Sequence, residues 1–323
     1  MEFAARNGKM TKDLREVFEV LSSRADCFKE FAVQDYSLAL TLDSGQAFRW
    51  TRRAEKWVGA VGGRWVRLAA EGNTILAETT QPTSNWSWLE HYLQINVDLD
   101  VVTRSFPDEE PMHAAVSACR GLRLLRQDPW ECLASFILSS TKQIIQIRQI
   151  ISLLCERYGQ RISTPIGEEA THAFPTASSL AGLRESELRD CKMGFRAPYL
   201  LETARIVAEE RMRLDELQKL PVEAARLKLM ELPGVGRKIA DCVLLFAYGF
   251  QSAFPVDVWI LKALRQLYFP RRRVKMKKLH GFAASHFGPW GGYAQQYLFH
   301  YMRTKGRATN SPVVLRKDFP VTL

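Results

Sequence analysis

The period of the apolar residues changes once along this 323-residue chain, and that change limits the fold more than any other feature. From about Phe31 to Thr80 apolar and polar residues alternate, the two-residue period of strands that are buried on one face. Tyr36–Leu42 and Ala47–Trp50 flank a turn at Ser44-Gly45, Lys56–Val61 and Arg64–Leu68 flank Gly62-Gly63, and Thr74–Thr79 adds a further run. A glycine pair between alternating runs signals a hairpin, so an antiparallel sheet is predicted. Beyond Pro107 and Pro111, from Met112 onward, the apolar spacing becomes helical. One helix starts at Asp128-Pro129, a side-chain cap followed by proline at the first helical position, and ends near Ser139-Ser140. Others are predicted over Ile144–Arg157, Ala197–Glu210, Val222–Leu232, Arg237–Tyr248, Asp257–Leu267, Lys275–Ser285 and Trp290–Arg303. The fold class that follows is α+β. An antiparallel sheet domain over about 31–115 packs on a larger all-α body over 116–305, between an N-terminal extension (1–30) and a C-terminal tail (306–323).

With 46% hydrophobic and 25% charged residues the chain has material for a real core, and its net charge of +10 predicts a polyanionic partner. No run approaches a membrane span and the first thirty residues lack the apolar core of a signal peptide, so a soluble intracellular protein is expected. A membrane-surface role for the charge fits poorly, because no basic amphipathic helix stands outside the folded body. The six cysteines are dispersed with no C-x-x-C pair, and the six histidines fall in no ligand pattern. Reduced thiols, no metal, no iron–sulfur cluster, no cofactor and a monomer are the corresponding expectations.

Between two predicted helices lies Leu232-Pro-Gly-Val-Gly-Arg-Lys238. Pro233 ends the first helix, the glycines allow a tight turn, and the next helix starts at once, which makes 222–248 a helix–hairpin–helix. Such a turn offers the backbone N–H groups of Gly234, Val235 and Gly236 to a phosphate without reading base sequence. An ordinary interhelical turn is the structural alternative. Asp257, in Phe254-Pro-Val-Asp-Val-Trp259, lies within reach of Lys238: a helix of roughly 12 residues travels ~18 Å, and the following loop can return up to ~26 Å. Asp257 also fits as the N-cap of the next helix, and the two roles are compatible.

An amine and a carboxylate in a dry site suit the release of a nucleobase from its sugar. The base leaves with the bonding electrons, the carboxylate stabilises the positive charge left on the sugar, and the amine captures the anomeric carbon. An amine must be uncharged to attack, and a helix N-terminus and burial both disfavour an ammonium. The Schiff base so formed acidifies the neighbouring sugar C–H and permits β-elimination of the 3′ phosphate.

Leu232-Pro-Gly-Val-Gly-Arg-Lys-Ile-Ala-Asp-Cys242 together with Pro255-Val-Asp257 resembles the signature of the helix–hairpin–helix DNA glycosylases. Within that superfamily, Ser44-Gly-Gln-Ala-Phe-Arg-Trp50, Leu124-Leu-Arg-Gln-Asp-Pro129 with Glu131-Cys132, and Gly194-Phe-Arg-Ala197 resemble the 8-oxoguanine DNA glycosylase branch, over about residues 31–303. The resemblance implies a bifunctional glycosylase and lyase that acts on an oxidised purine flipped out of double-stranded DNA. It implies that Lys238 is the nucleophile and Asp257 its carboxylate partner. Gly45 would offer its carbonyl to the N7–H that only the oxidised guanine carries, Phe299 and Cys242 would sandwich the ring, Gln295 would read its Watson–Crick edge, and Pro255 would help line the pocket. Phe195 would wedge into the duplex and Arg196 would contact the orphaned strand. Core packing is the alternative for Phe195 and Phe299.

The chain departs from the animal members where Thr141 replaces an asparagine that fills the gap left by the flipped base, Gln146 an arginine that reads the opposite cytosine, and Trp259 a histidine that binds phosphate. Weaker discrimination of the opposite base is therefore expected. The run Arg271-Arg-Arg-Val-Lys-Met-Lys-Lys278 either extends the DNA footprint or is a solvated loop. Two rival functions remain: a glycosylase of the same superfamily for another damaged base, and a noncatalytic helix–hairpin–helix DNA-binding protein. The first is opposed by the absence of a four-cysteine cluster and the presence of Lys238, the second by the pairing of Lys238 with Asp257.

Overall fold

The computed structural model describes residues 26–140, 142–270 and 274–309, with side chains as far as 305. Strands β1 (Phe28–Ala32), β2 (Thr51–Arg53), β3 (Lys56–Val61), β4 (Arg64–Glu71) and β5 (Thr74–Thr79) form one antiparallel sheet in the order β1-β5-β4-β3-β2. The β3–β4 hairpin turns on Gly62 and Gly63 at φ +53° and +77°, and Val61 pairs with Arg64 across it. Positive φ at both turn positions matches the twist of the flanking strands.

Two expected strands are absent. Tyr36–Leu42 is replaced by a short helix, α1 (Leu38–Asp43), whose cap Ser37 accepts from the Leu40 N–H at 3.3 Å. Leu38 and Leu42 stand four apart, a separation that puts residues on one face in either period, so alternation could not decide and the cap did. Ala47–Trp50 is turn and irregular backbone. The reason is that Phe48 buries in the core of the helical body while Trp50 buries in that of the sheet. Residues two apart on a regular strand would face the same way.

Helix α2 (Ser87–Leu93) covers the sheet, where Leu89 and Leu93 join Phe31, Trp50, Leu68 and Ile75 in one apolar cluster. Helices α3 (Leu99–Arg104) and α4 (Glu110–Ala118) lead into the second core. The body then contains α5 (Pro129–Leu138), α6 (Ile144–Tyr158), the short pair β6 (Arg161–Ile162) and β7 (Thr171–His172), α7 (Ala177–Ala181), α8 (Glu185–Arg189), α9 (Ala197–Ala208), α10 (Val222–Met230), α11 (Arg237–Val243), α12 (Val258–Ala263), α13 (Met276–His286) and α14 (Gly291–Thr309). Helix α5 starts as expected, with the Asp128 carboxylate accepting from the Glu131 N–H at 2.8 Å and Pro129 in its first turn. Helices α11 and α12 each continue into one wider turn, Leu244–Tyr248 and Leu264–Tyr268, in which the hydrogen bonds reach one residue farther.

The two cores meet along the extended segment 122–127. Gln46, with no exposed surface, donates through Nε2 to the Arg123 carbonyl at 2.8 Å and the Thr41 carbonyl at 2.9 Å, and its Oε1 accepts from the Leu125 N–H at 2.8 Å. In return Gln127 Nε2 donates to the Gln46 carbonyl at 2.7 Å. Arg49 reaches Glu131 in the first turn of α5 at 3.3 Å. Truncation at Gln46 would leave several buried backbone groups without partners, each worth on the order of 1–3 kcal/mol. Gln46→Ala is therefore expected to lower stability by about 3 kcal/mol, read by equilibrium denaturation. A loss below about 1 kcal/mol would mean that water or a shifted backbone replaces these bonds.

Candidate active site

The hairpin is built as its glycines require. Gly234 sits at φ +75°, where a side chain would strike Tyr199 of α9 at 2.9 Å, and Gly236 serves as the N-cap of α11 with open space around it. Val235 is buried between two exposed glycines. Behind the hairpin, Arg226 of α10 meets Asp241 of α11 at 2.6 Å, both side chains almost fully buried. Burial pushes the Asp241 carboxyl above the usual aspartate range, and Arg226 pulls it back. This pair holds the two helices of the motif together and thereby fixes the start of α11.

Lys238 lies in the first turn of α11 and opens into a cavity of roughly 840 Å³ between the sheet-domain loop and helices α5, α6, α11, α12 and α14. Its Nζ donates to Ser139 Oγ at 3.2 Å and lies 5.2 Å from the centre of the Phe136 ring. Cys242, one turn along α11, faces the same cavity. Burial pushes its thiol up to about 12, with the Lys238 charge acting against that rise, so the thiol is neutral near pH 7.

Asp257 is the N-cap of α12 and lines the cavity too, its Oδ1 accepting from the Ile260 N–H at 2.8 Å. Burial raises its carboxyl above the usual aspartate range, while the backbone N–H of Ile260 and the charge of Lys238 lower it. Both roles foreseen for Asp257, cap and cavity carboxylate, are thus compatible with its position. Pro255, buried just before it, forms part of the same wall.

The opposite wall comes from α14 and from the loop after α1. Gln295 and Phe299, four residues apart on α14, line the cavity with Gly45. Gln295 is only 4% exposed and its Oε1 has no hydrogen-bond partner among the described residues. A buried amide oxygen without a partner costs free energy unless a ligand or water satisfies it. Phe299 is half-buried, neither a core residue nor a surface one.

Gly45, Lys238, Cys242, Pro255, Asp257, Gln295 and Phe299 are therefore brought together. The remaining expected residues stand elsewhere. Phe195 is 55% exposed in the turn before α9, close to the hairpin because Tyr199 of the next helical turn packs on Gly234. Arg196 is only 2% exposed, its guanidinium 4.2 Å from the Phe195 ring and donating to the Met193 carbonyl at 3.2 Å. Thr141 and Arg271–Arg273 lie outside the described residues. Gln146 accepts from the Gln143 N–H at 3.1 Å and caps α6, and Trp259 lines the cavity with Lys262 Nζ 5.6 Å from its ring centre.

Sequence reasoning missed several cavity residues. Phe136 and Phe246 stack with ring centres 5.6 Å apart to floor the cavity beneath Lys238, and Phe48 meets Phe136 edge-on at 5.7 Å. Phe136 stands three residues before Ser139 on α5, a spacing that puts both on one helix face and could have found it. Arg303, two turns beyond Gln295 on α14, also lines the cavity.

Comparison with known proteins agrees with this geometry. Residues 29–133 match the N-terminal domain of 8-oxoguanine DNA glycosylase, and residues 134–284 match the HhH-GPD superfamily of base excision DNA repair proteins. A probable N-glycosylase/DNA lyase of Methanothermobacter thermautotrophicus is 32% identical over 238 residues, 68% of this chain and 75% of that protein. The N-glycosylase/DNA lyase OGG1 of Arabidopsis thaliana is 31% identical over 282 residues, 82% of this chain and 77% of that protein. Among solved structures, the 8-oxoguanine glycosylase/lyase of Clostridium acetobutylicum, bound to double-stranded DNA with cytosine opposite the lesion, superposes with a TM-score of 0.80 at 29% identity, covering 86% of this chain and 98% of that one. Matched along both halves by family pattern, sequence and fold, the chain belongs to the 8-oxoguanine DNA glycosylase family of HhH-GPD base excision repair proteins, the N-glycosylase/DNA lyases.

Proposed function

We propose that this protein excises 8-oxoguanine from double-stranded DNA through a Schiff base on Lys238 and then cleaves the strand by β-elimination. The observation that carries this reading is the opening of Lys238 and Asp257, each at a helix start, into one cavity with the unpartnered Gln295 oxygen. In this reading the flipped base lies against Phe299 and Cys242, with Gln295 at its Watson–Crick edge and the Gly45 carbonyl at N7–H. A neutral Cys242 thiol presents a compact, polarizable surface to the ring. As the C1′–N9 bond breaks, its electron pair leaves with the base and the Asp257 carboxylate stabilises the charge developing on the sugar. Lys238 Nζ forms the new bond to C1′, and loss of a proton and opening of the sugar ring give the imine. Removal of a C2′ proton then expels the 3′ phosphate.

The duplex would be held outside the cavity by the Gly234-Val235-Gly236 turn, with Phe195 beside it as the wedge and Arg196, next in the chain, toward the orphaned strand. With Gln146 engaged in capping α6, no guanidinium stands at that position to read a cytosine. The amine ends of Lys275, Lys277 and Lys278 are exposed at the start of α13. The charges of Arg237 and Arg226, in the two helices of the hairpin motif, help lower the pKa of His280 one turn farther on, which is lowered first by burial. The basic stretch therefore flanks the hairpin and would prolong its phosphate track.

Borohydride trapping on a duplex with one 8-oxoguanine should give a covalent adduct that Lys238→Gln lacks. Across the four opposite bases the wild-type rate is expected to vary by less than about tenfold. An adduct that persists in Lys238→Gln would eliminate this lysine as nucleophile, and a strict cytosine requirement would refute the relaxed opposite-base reading. The acid limb of single-turnover base release is expected above pH ~4, because the carboxylate is lost as pH falls through a raised value. Asp257→Asn keeps the cap and should slow base release on the order of 100-fold; a limb at or below ~4 would mean another group controls it. Replacing Lys275, Lys277 and Lys278 together by glutamine should reduce the salt slope of binding to undamaged duplex by about 2–3. An unchanged slope would leave that stretch as a solvated surface.

A further inference from the structure

Gly45 has no room to adjust. It sits at φ +83°, and a side chain there would meet Ile144 Cδ1 at 2.7 Å and Arg303 Nη1 at 3.2 Å. The two residues before it are tied to α14 and α6, helices that line the same cavity. Arg303 Nη2 of α14 donates to the Asp43 carbonyl at 2.6 Å. Arg148 Nη2 of α6 pairs with the Asp43 carboxylate at 2.8 Å, and Gln296 Nε2 donates to the Ser44 carbonyl at 3.2 Å. Asp43 ends α1, so its carbonyl is one that the helix itself leaves unbonded. Arg303 is 5% exposed and its guanidinium lies 5.6 Å from the centre of the Phe299 ring. One buried cation thus touches both the loop that carries Gly45 and the aromatic side of the cavity.

We infer that Arg303, helped by Arg148 through Asp43, is a positioning residue that fixes the Gly45 wall and sets the selection of oxidised over normal guanine. The inference rests on the proposed reading of the cavity as a purine pocket with the Gly45 carbonyl at N7. On that edge the two bases differ by whether N7 carries a proton. A normal guanine presents a lone pair there and meets the carbonyl lone pairs in repulsion. A single hydrogen bond discriminates only if its acceptor is held to within a few tenths of an ångström, because both attraction and repulsion fade steeply with distance and angle. Charge-assisted bonds are shorter and stronger than neutral ones, so two guanidinium groups, one on the Asp43 carbonyl and one on its carboxylate, hold firmly the residues that lead into Gly45.

The test compares two duplexes, one with 8-oxoguanine and one with a preformed abasic site, which needs Lys238 and DNA contact but no wall around a base. Arg303→Met keeps an apolar stem beside Phe299 and removes the donors, whereas Arg303→Lys keeps one cationic donor for the Asp43 carbonyl. Arg303→Met is expected to slow 8-oxoguanine excision on the order of 10- to 100-fold more than it slows abasic-site cleavage. Arg303→Lys should recover most of the loss. Asp43→Asn weakens only the Arg148 arm and should slow excision by about three-fold, which keeps the inference testable if Arg303→Met does not fold. Equal slowing on both duplexes, or no recovery in Arg303→Lys, would overturn the inference. A wild-type protein that cleaves the abasic duplex but leaves 8-oxoguanine in place would instead remove the substrate reading, and this inference with it.

Discussion

The carboxamide of Gln46 decides whether this molecule has a site at all. The cavity takes Gly45 from the sheet side and Lys238, Asp257 and Gln295 from the helical side, so its walls belong to segments that fold into different cores. Apolar packing between two such bodies fixes contact but not register, because burial is non-directional. One fully buried side chain, donating to the Arg123 carbonyl and accepting from the Leu125 N–H, supplies the register. Phe48 crosses into the helical core and Leu125 into the sheet core, so each body also holds a residue of the other. With that stitch in place, Gly45 is one residue away from a fixed point.

The same stitch explains why the resemblance to a family is legible in the sequence. Ser44–Trp50 and Leu124–Cys132 are far apart in sequence, yet they are the two sides of the join, through Gln46 with 123–127 and Arg49 with Glu131. The hairpin and the Pro255-Val-Asp257 segment are the two helix starts that open into the cavity. Motifs that look scattered in a sequence are contiguous where they do their work. Capped helices such as α5 and the Gly62-Gly63 hairpin were legible for a simpler reason, since their signals are local: a cap, a proline and a pair of glycines.

What the sequence hid is long-range by nature. Tyr36–Leu42 carries a pattern common to strand and helix, and only the Ser37 hydroxyl and the burial of Thr41 select the helix. Ala47–Trp50 alternates because it serves two cores in turn. Arg303 lines the cavity without belonging to any motif, for its partner is Asp43, at a separation no periodicity reports. Arg196 is 2% exposed with its guanidinium 4.2 Å from the Phe195 ring, a burial that the resemblance alone did not foretell.

These placements separate two kinds of recognition. Groups that would read the lesion sit in a cavity whose walls are buried, hydrogen-bonded and joined across both cores, which suits a discrimination that turns on one proton. Groups that would read the duplex, Phe195, the hairpin glycines and the exposed lysines of α13, stand on the surface with few fixed partners. Rigid walls make the energy of a misplaced contact high, whereas exposed side chains adapt to whatever strand they meet at little cost. Gln146 stands apart from both groups, an exposed side chain whose carboxamide already accepts from the Gln143 N–H and caps α6. A chain built this way can be strict about the damaged base and permissive about its partner, because the two choices depend on different side chains held by different forces.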